Sequence, residues 1–233
     1  MTYFVLVPGA WLGAWAWNEV SAHLNAAGYD VTAATLSGLA ERQDLPLDHI
    51  GQDTHVDDIV AIVEQAGLRD VVLVGHSYSG IPVGQAAARL RDRVSRVVYV
   101  DANIPHDGQS FIGAWSERGQ EMVKQQIADG GYWPPPEESD FAGQDLSDGA
   151  ISKLIAGSTP HPGRTLTEPA NLIAPLRDMP STYIKCLMDG DEPTEDVRHL
   201  LGSDMWKLKK IKTGHWPMLS QPEELAALLI DKP

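Results

Sequence analysis

Val71-Val72-Leu73-Val74-Gly75-His76-Ser77-Tyr78-Ser79-Gly80 is the stretch whose reading decides the fold. The first four residues form a short apolar, mostly β-branched run, the pattern of a strand buried on both faces in a parallel sheet. A helical pattern rich in alanine follows from Ser79 to Leu90, with Pro82 in its first turn, where a missing N–H is tolerated. Strand, tight turn and helix in immediate succession predict an elbow that holds Ser77 in a strained conformation, its hydroxyl at the carboxyl edge of the sheet. Gly75, Ser79 and Gly80 supply the small residues that let strand and helix approach, although Ser79 stands where the G-x-S-x-G pattern has its second glycine. The N–H of Tyr78 falls at the helix start, where free donors and the positive end of the dipole stabilise an oxyanion. The competing reading is a serine in an ordinary strand-to-helix turn of a nucleotide-binding sheet.

Outward from this elbow, Tyr3 to Val7, Asp30 to Ala34 and Val97 to Val100 read as further buried parallel strands. Trp17 to Ala27, stopped by Gly28, and Thr54 to Ala66, stopped by Gly67, read as the crossover helices such strands require. The beat fails between about Ile104 and Met179, where Gly, Pro, aromatic and acidic residues mix with short helical pieces such as Glu117 to Ala128. It resumes with a strand over Ser181 to Leu187, a helix over Thr194 to Leu201, a strand over Trp206 to Lys212 and a closing helix over Pro222 to Ile230. The expectation is an α/β fold: a doubly wound, mostly parallel sheet of about six strands flanked by helices, with a helical cap inserted before the acid-bearing strand. Residues 1–103 and 180–233 form the expected core and 104–179 the cap, within a single domain.

The chain has 233 residues, and its 18 Lys and Arg against 32 Asp and Glu leave a net charge of −14. That charge repels a phosphate backbone and an anionic membrane surface, so neither nucleic acid nor membrane is an expected partner. The one cysteine, Cys186, cannot form an internal disulfide, and no Cys and His cluster has zinc-binding spacing. Neither metal nor cofactor is expected. Without the basic start and longer apolar run of a secretory signal, and without a run able to span a bilayer, the expected location is cytoplasmic. A homodimer is compatible with these residues.

A serine nucleophile needs a base. His23 and His199 fall in helical segments, His49 and His55 near a helix start, and His106 and His161 in loops containing proline, while His76 adjoins the nucleophile but is expected to point elsewhere. His215 follows the last expected strand in Thr213-Gly214-His215-Trp216-Pro217, which places it at the same sheet edge as Ser77. The imidazole in turn needs a carboxylate. Asp189, at the end of the strand Tyr183 to Leu187, is favoured by the order Ser, Asp, His. Asp191 and Asp101, the latter closing Val97 to Val100, remain rivals.

Phe4-Val5-Leu6-Val7-Pro8-Gly9-Ala10-Trp11-Leu12-Gly13-Ala14-Trp15, the elbow at Ser77, Tyr183 to Asp189, and Gly214-His215-Trp216-Pro217-Met218-Leu219 together resemble the hydroxynitrile lyase and plant methyl-esterase branch of the alpha/beta-hydrolases. The similarity spans the core and fades in the cap. It implies that the second oxyanion N–H comes from Ala10 and that the acid is Asp189. Pro8 stands where the family usually has histidine, so the support of that loop is altered. Lyases of this branch carry a hydroxyl residue at the position of Gly9 and a lysine directly after the catalytic histidine, where this chain has Trp216. A departing cyanide would find no cation there, whereas an alcohol takes its proton from the histidine. The resemblance therefore implies ester hydrolysis of a small, largely apolar substrate, with Trp11, Tyr78, Trp115, Tyr132, Trp133 and Trp216 as candidate pocket walls. The cap aromatics Trp115, Tyr132 and Trp133 serve equally well to pack the cap onto the core. Two other readings stay open: a lyase or carbon–carbon hydrolase with the same triad, and a ligand receptor of hydrolase shape with slow turnover.

Overall fold

The computed structural model describes residues 2–231. Six strands, β1 (Tyr3–Val7), β2 (Asp30–Ala33), β3 (Val71–His76), β4 (Val94–Val100), β7 (Ser181–Cys186) and β8 (Trp206–Ile211), form one sheet in the order β2-β1-β3-β4-β7-β8. Every pairing within it is parallel. Alternate residues of each central strand serve opposite faces. Val5, Val7, Leu73, Val97 and Tyr99 pack on one side with Val56, Ile59 and Val63 of α2 (Gln52–Gln65) and with Val83, Ala86 and Ala87 of α3 (Gly80–Arg89). Phe4, Leu6, Val72, Val74, Val98 and Val100 pack on the other with Val20 and Leu24 of α1 (Asn18–Ala26) and Leu225 and Leu229 of α9 (Pro222–Ile230). Burial on both faces is why these strands are continuous apolar runs and not alternating ones.

Between β4 and β7 lie α4 (Glu117–Gly130), α5 (Asp148–Gly157) and the short α6 (Arg164–Thr167). Ser116 caps α4 by accepting the N–H of Gly119, and α4 stops at Gly131, whose φ of 75° suits glycine. Ser147 caps α5 in the same way through Ala150. This segment also contains a two-strand antiparallel ribbon, β5 (Tyr132–Trp133) with β6 (His161–Pro162), which a purely helical cap does not anticipate. Pro162 is accommodated because each ribbon strand has only one neighbour. After β7 come α7 (Glu195–Leu200), β8, and α8 (Pro217–Ser220) ahead of α9. Among the described residues no helix is long and apolar enough to cross a membrane.

Parallel strands bring their carboxyl ends to one edge, and three of the segments leaving that edge carry a non-glycine residue at positive φ: Trp11 (66°) after β1, Ser77 (53°) after β3 and Asp101 (42°) after β4. Backbone of this kind costs on the order of 1–3 kcal/mol per residue and persists only where surrounding contacts hold it. The candidate site lies at that edge.

Candidate active site

Ser77 sits on the single turn Ser77–Ser79 between β3 and α3. A Cβ on Gly75 would lie 2.9 Å from the carbonyl oxygen of Ser79, and one on Gly80 would meet the carbonyl oxygen of Asn103, so both positions need glycine for the elbow to close. The hydroxyl of Ser77 donates to Nε2 of His215 at 2.9 Å, and Nδ1–H of His215 donates to Oδ2 of Asp101 at 2.8 Å. Hydroxyl, imidazole and carboxylate thus form one continuous chain from three separate loops.

The carboxylate in that chain differs from the one the sequence favours. Asp189 lies on the exposed turn Leu187–Asp189, where its Oδ1 accepts from Nε2 of Gln144 at 3.0 Å. The side chain of Asp101 is only 7% exposed, and it takes Lys185 Nζ at 2.7 Å and the N–H of Cys186 at 3.3 Å on Oδ1 while Oδ2 faces the imidazole. Burial alone would raise the pKa of Asp101, but its hydrogen bonds and electrostatic attraction to His215 and Lys185 overcome that and hold it down to about 2. Chain order could not separate the candidates, since Asp101 also falls between Ser77 and His215. The available signal was Lys185: a lysine inside a buried strand requires a carboxylate partner. Asp101 N–H bonds to the carbonyl of Ile184, which sets its side chain beside Lys185 on the neighbouring strand. Asp191 is exposed.

His76, expected to point elsewhere, holds the main chain of His215. Its Nε2–H donates to the carbonyl oxygen of His215 at 2.7 Å, and its ring lies 4.8 Å from that of His215. Burial, aided by the neighbouring His215, lowers the pKa of His76 to about 3, so the ring stays neutral.

The loop after β1 approaches Ser77 closely. A Cβ on Gly9 would stand 2.7 Å from Nδ1 of His76 and 3.0 Å from Cβ of Ser77, so no larger residue fits there. Ala10 is buried in this loop. In place of the family histidine, which here is Pro8, the loop is held by other residues. Ser79 Oγ donates to the carbonyl of Pro8, and the N–H of Trp11 donates to Nδ1 of His161 at 3.2 Å. The carbonyl of Trp11 accepts from the N–H of Thr159 at 3.0 Å. His161 is fully buried, and burial with the adjacent His55 lowers its pKa well below the usual value. It therefore stays neutral, with Nε2–H donating to Thr165 Oγ1 at 2.9 Å and Nδ1 free to accept.

The aromatic residues divide. Trp11 and Trp133 have ring centroids 4.1 Å apart, and Trp115 lies 5.8 Å from Trp133 and 5.4 Å from Phe111. Trp216 stands apart, 4.9 Å from Phe141 and edge-on to His215 at 5.1 Å. Tyr132 pairs with Pro162 in the ribbon and packs across Gly130. Tyr78 is no wall: its side chain is fully buried, and its hydroxyl donates to Nδ1 of His55 at 2.8 Å, because His55 Nε2–H is committed to the carbonyl of Ser37. A cavity of about 540 Å³ opens beside Asp101, lined among others by Asp101, Tyr183, Lys185 and Asp189.

A profile of the Alpha/beta hydrolase family matches residues 4–228. Among characterised proteins, the "Carbendazim hydrolyzing esterase" of Nocardioides sp. (strain SG-4G) is 29% identical, covering 98% of each chain. "Methyl jasmonate esterase 1" of Vitis vinifera is 28% identical over 97% of this chain and 95% of that one. Among solved structures, an extracellular alpha/beta-hydrolase from a Paenibacillus species superposes with a TM-score of 0.85 at 22% identity, covering 99% of this chain and 98% of that one.

Proposed function

Since the chain belongs to the alpha/beta hydrolase family, we propose that it is a serine carboxylic ester hydrolase that cleaves a small, largely apolar ester through an acyl-enzyme. The observation that carries this reading is the unbroken relay from Ser77 Oγ through His215 to Asp101, with bonds of 2.9 and 2.8 Å. His215 Nε2 takes the hydroxyl proton as Oγ attacks the ester carbon. The resulting oxyanion is held by the N–H groups of Ala10 and Tyr78. Collapse expels the alcohol, which leaves with the proton from Nε2, and a water molecule repeats the sequence to release the acid and restore Ser77. Asp101 fixes the tautomer that leaves Nε2 free to accept and steadies the imidazolium that forms.

Ester cleavage is favoured over cyanohydrin cleavage by two positions. The space at Gly9 admits no hydroxyl-bearing side chain, and Trp216 stands where a lyase places a cation. The names of the two relatives quoted above, each an esterase matched nearly end to end, support the same choice.

A fluorophosphonate tests the reading directly. It is expected to modify Ser77, and His215→Ala is expected to abolish both that reaction and turnover of simple aryl esters. Rapid cyanide release from a cyanohydrin without aryl ester turnover would overturn it in favour of a lyase, and a single acylation without further turnover would make the protein a receptor.

A further inference from the structure

We propose that Gln144 is a positioning residue for His215, and that Asp189 acts on the base only through it; this rests on the reading of His215 as general base. Gln144 lies outside the sheet, between the turn Glu138–Phe141 and α5. Its Oε1 accepts the main-chain N–H of His215 at 2.6 Å. A main-chain N–H can only donate, so Oε1 must face it, and Nε2 is left to donate to Oδ1 of Asp189 at 3.0 Å. The amide is therefore clamped at both ends in one orientation.

The preceding residue records the same contact. A Cβ on Gly214 would run into the carbonyl oxygen and Oε1 of Gln144, so the approach of Gln144 leaves room only for glycine there. From the opposite side, His76 donates to the carbonyl of His215. The base stands on a connection between β8 and the four-residue helix α8, a place with little regular structure of its own to fix it. Gln144 and His76 supply that fixation at N–H and C=O, while Asp101 and Ser77 hold the ring. Side-chain polar atoms of Asp101, Asp189 and His215 lie within 4.8 Å of one another, so two carboxylates serve one histidine by different routes. Asp101 bonds the imidazole; Asp189 orients the amide that bonds the main chain.

The test exchanges donor and acceptor. With p-nitrophenyl acetate as probe, Gln144→Ala is expected to lower kcat by about ten- to a hundredfold through misplacement of the base, with KM nearly unchanged. Gln144→Glu keeps an acceptor for the His215 N–H but turns a carboxylate on Asp189, and kcat falls likewise. Asp189→Asn alone loses little, because the substituted side chain keeps an oxygen that accepts from Gln144. The double variant Gln144→Glu/Asp189→Asn restores the contact with the roles reversed: the amide introduced at position 189 donates to the carboxylate introduced at position 144. It recovers kcat to within a few-fold of the unaltered protein. A residue needed only for folding would give no such recovery. The proposal is overturned if Gln144→Ala keeps full kcat, if the double variant is as impaired as Gln144→Glu, or if Asp189→Asn is as damaging as Asp101→Asn, which would put Asp189 on the imidazole itself. Full turnover in His215→Ala would instead remove the reading of the base, whatever the Gln144 variants do.

Discussion

The carboxylate of Asp101 meets three donors, from His215, Lys185 and the main chain of Cys186, whereas that of Asp189 meets the amide of Gln144. The difference follows from burial. A charge that is 7% exposed must be compensated by partners, and an exposed one is compensated by water. Under the proposed mechanism Asp101→Asn would present an amide to an imidazole that needs an acceptor, and the expected loss in kcat on an aryl ester is about 10⁴-fold. Asp189→Asn should lie within a few-fold of the unaltered protein. The reverse ranking, measured at saturating ester, would return the role to Asp189. The sequence favours Asp189 through the order Ser, Asp, His and the family resemblance, but a strand end looks the same in sequence whether its carboxylate is turned toward the imidazole or toward a neighbouring amide.

At the level of elements, β1, β3 and β4 deliver Trp11, Ser77 and Asp101 to one edge in positive-φ conformations that the strands cannot maintain by themselves. The ribbon strand β6 contributes the brace for the first of these, His161 accepting the N–H of Trp11. Under the proposed mechanism, His161→Ala would release Trp11 from its left-handed conformation and let Ala10 drift from the place where its N–H would meet an oxyanion. Losing an oxyanion donor outright costs about 10²–10³-fold, and loosening one should cost up to about 10²-fold in kcat and in the rate of fluorophosphonate labelling, with KM little changed. An unchanged labelling rate would show that the loop holds without its brace. The strands and most helices were legible to within a few residues because burial on both faces imposes a local apolar pattern. The brace was not legible, since a histidine in a Pro-containing loop carries no local mark of the main-chain N–H it will meet 150 residues away.

For the molecule as a whole, three fully buried histidines set a pH dependence of stability. Burial lowers the pKa of His55 to about 4 and that of His76 to about 3, and lowers His161 well below the ordinary value. The unfolded chain takes up these protons near pH 6.5 and the folded chain refuses them, so stability present above pH 6.5 is lost as pH falls toward about 4 and then 3. Each proton contributes a slope of about 1.4 kcal/mol per pH unit. Urea unfolding at pH 7.5, 6 and 5 should show the decline, and His55→Gln should shallow it by nearly one proton; equal slopes in the two proteins would refute this account. Features with a local cause could be read from the chain alone: the sheet from its apolar runs, the elbow at Ser77 from small residues between strand and helix, and His215 from its place after the last strand. Which carboxylate, which amide and which second histidine bond His215 emerged only once the chain was folded. Asp101, Gln144 and His76 each act through bonds between distant segments, and such bonds depend on register and burial, which no local pattern encodes.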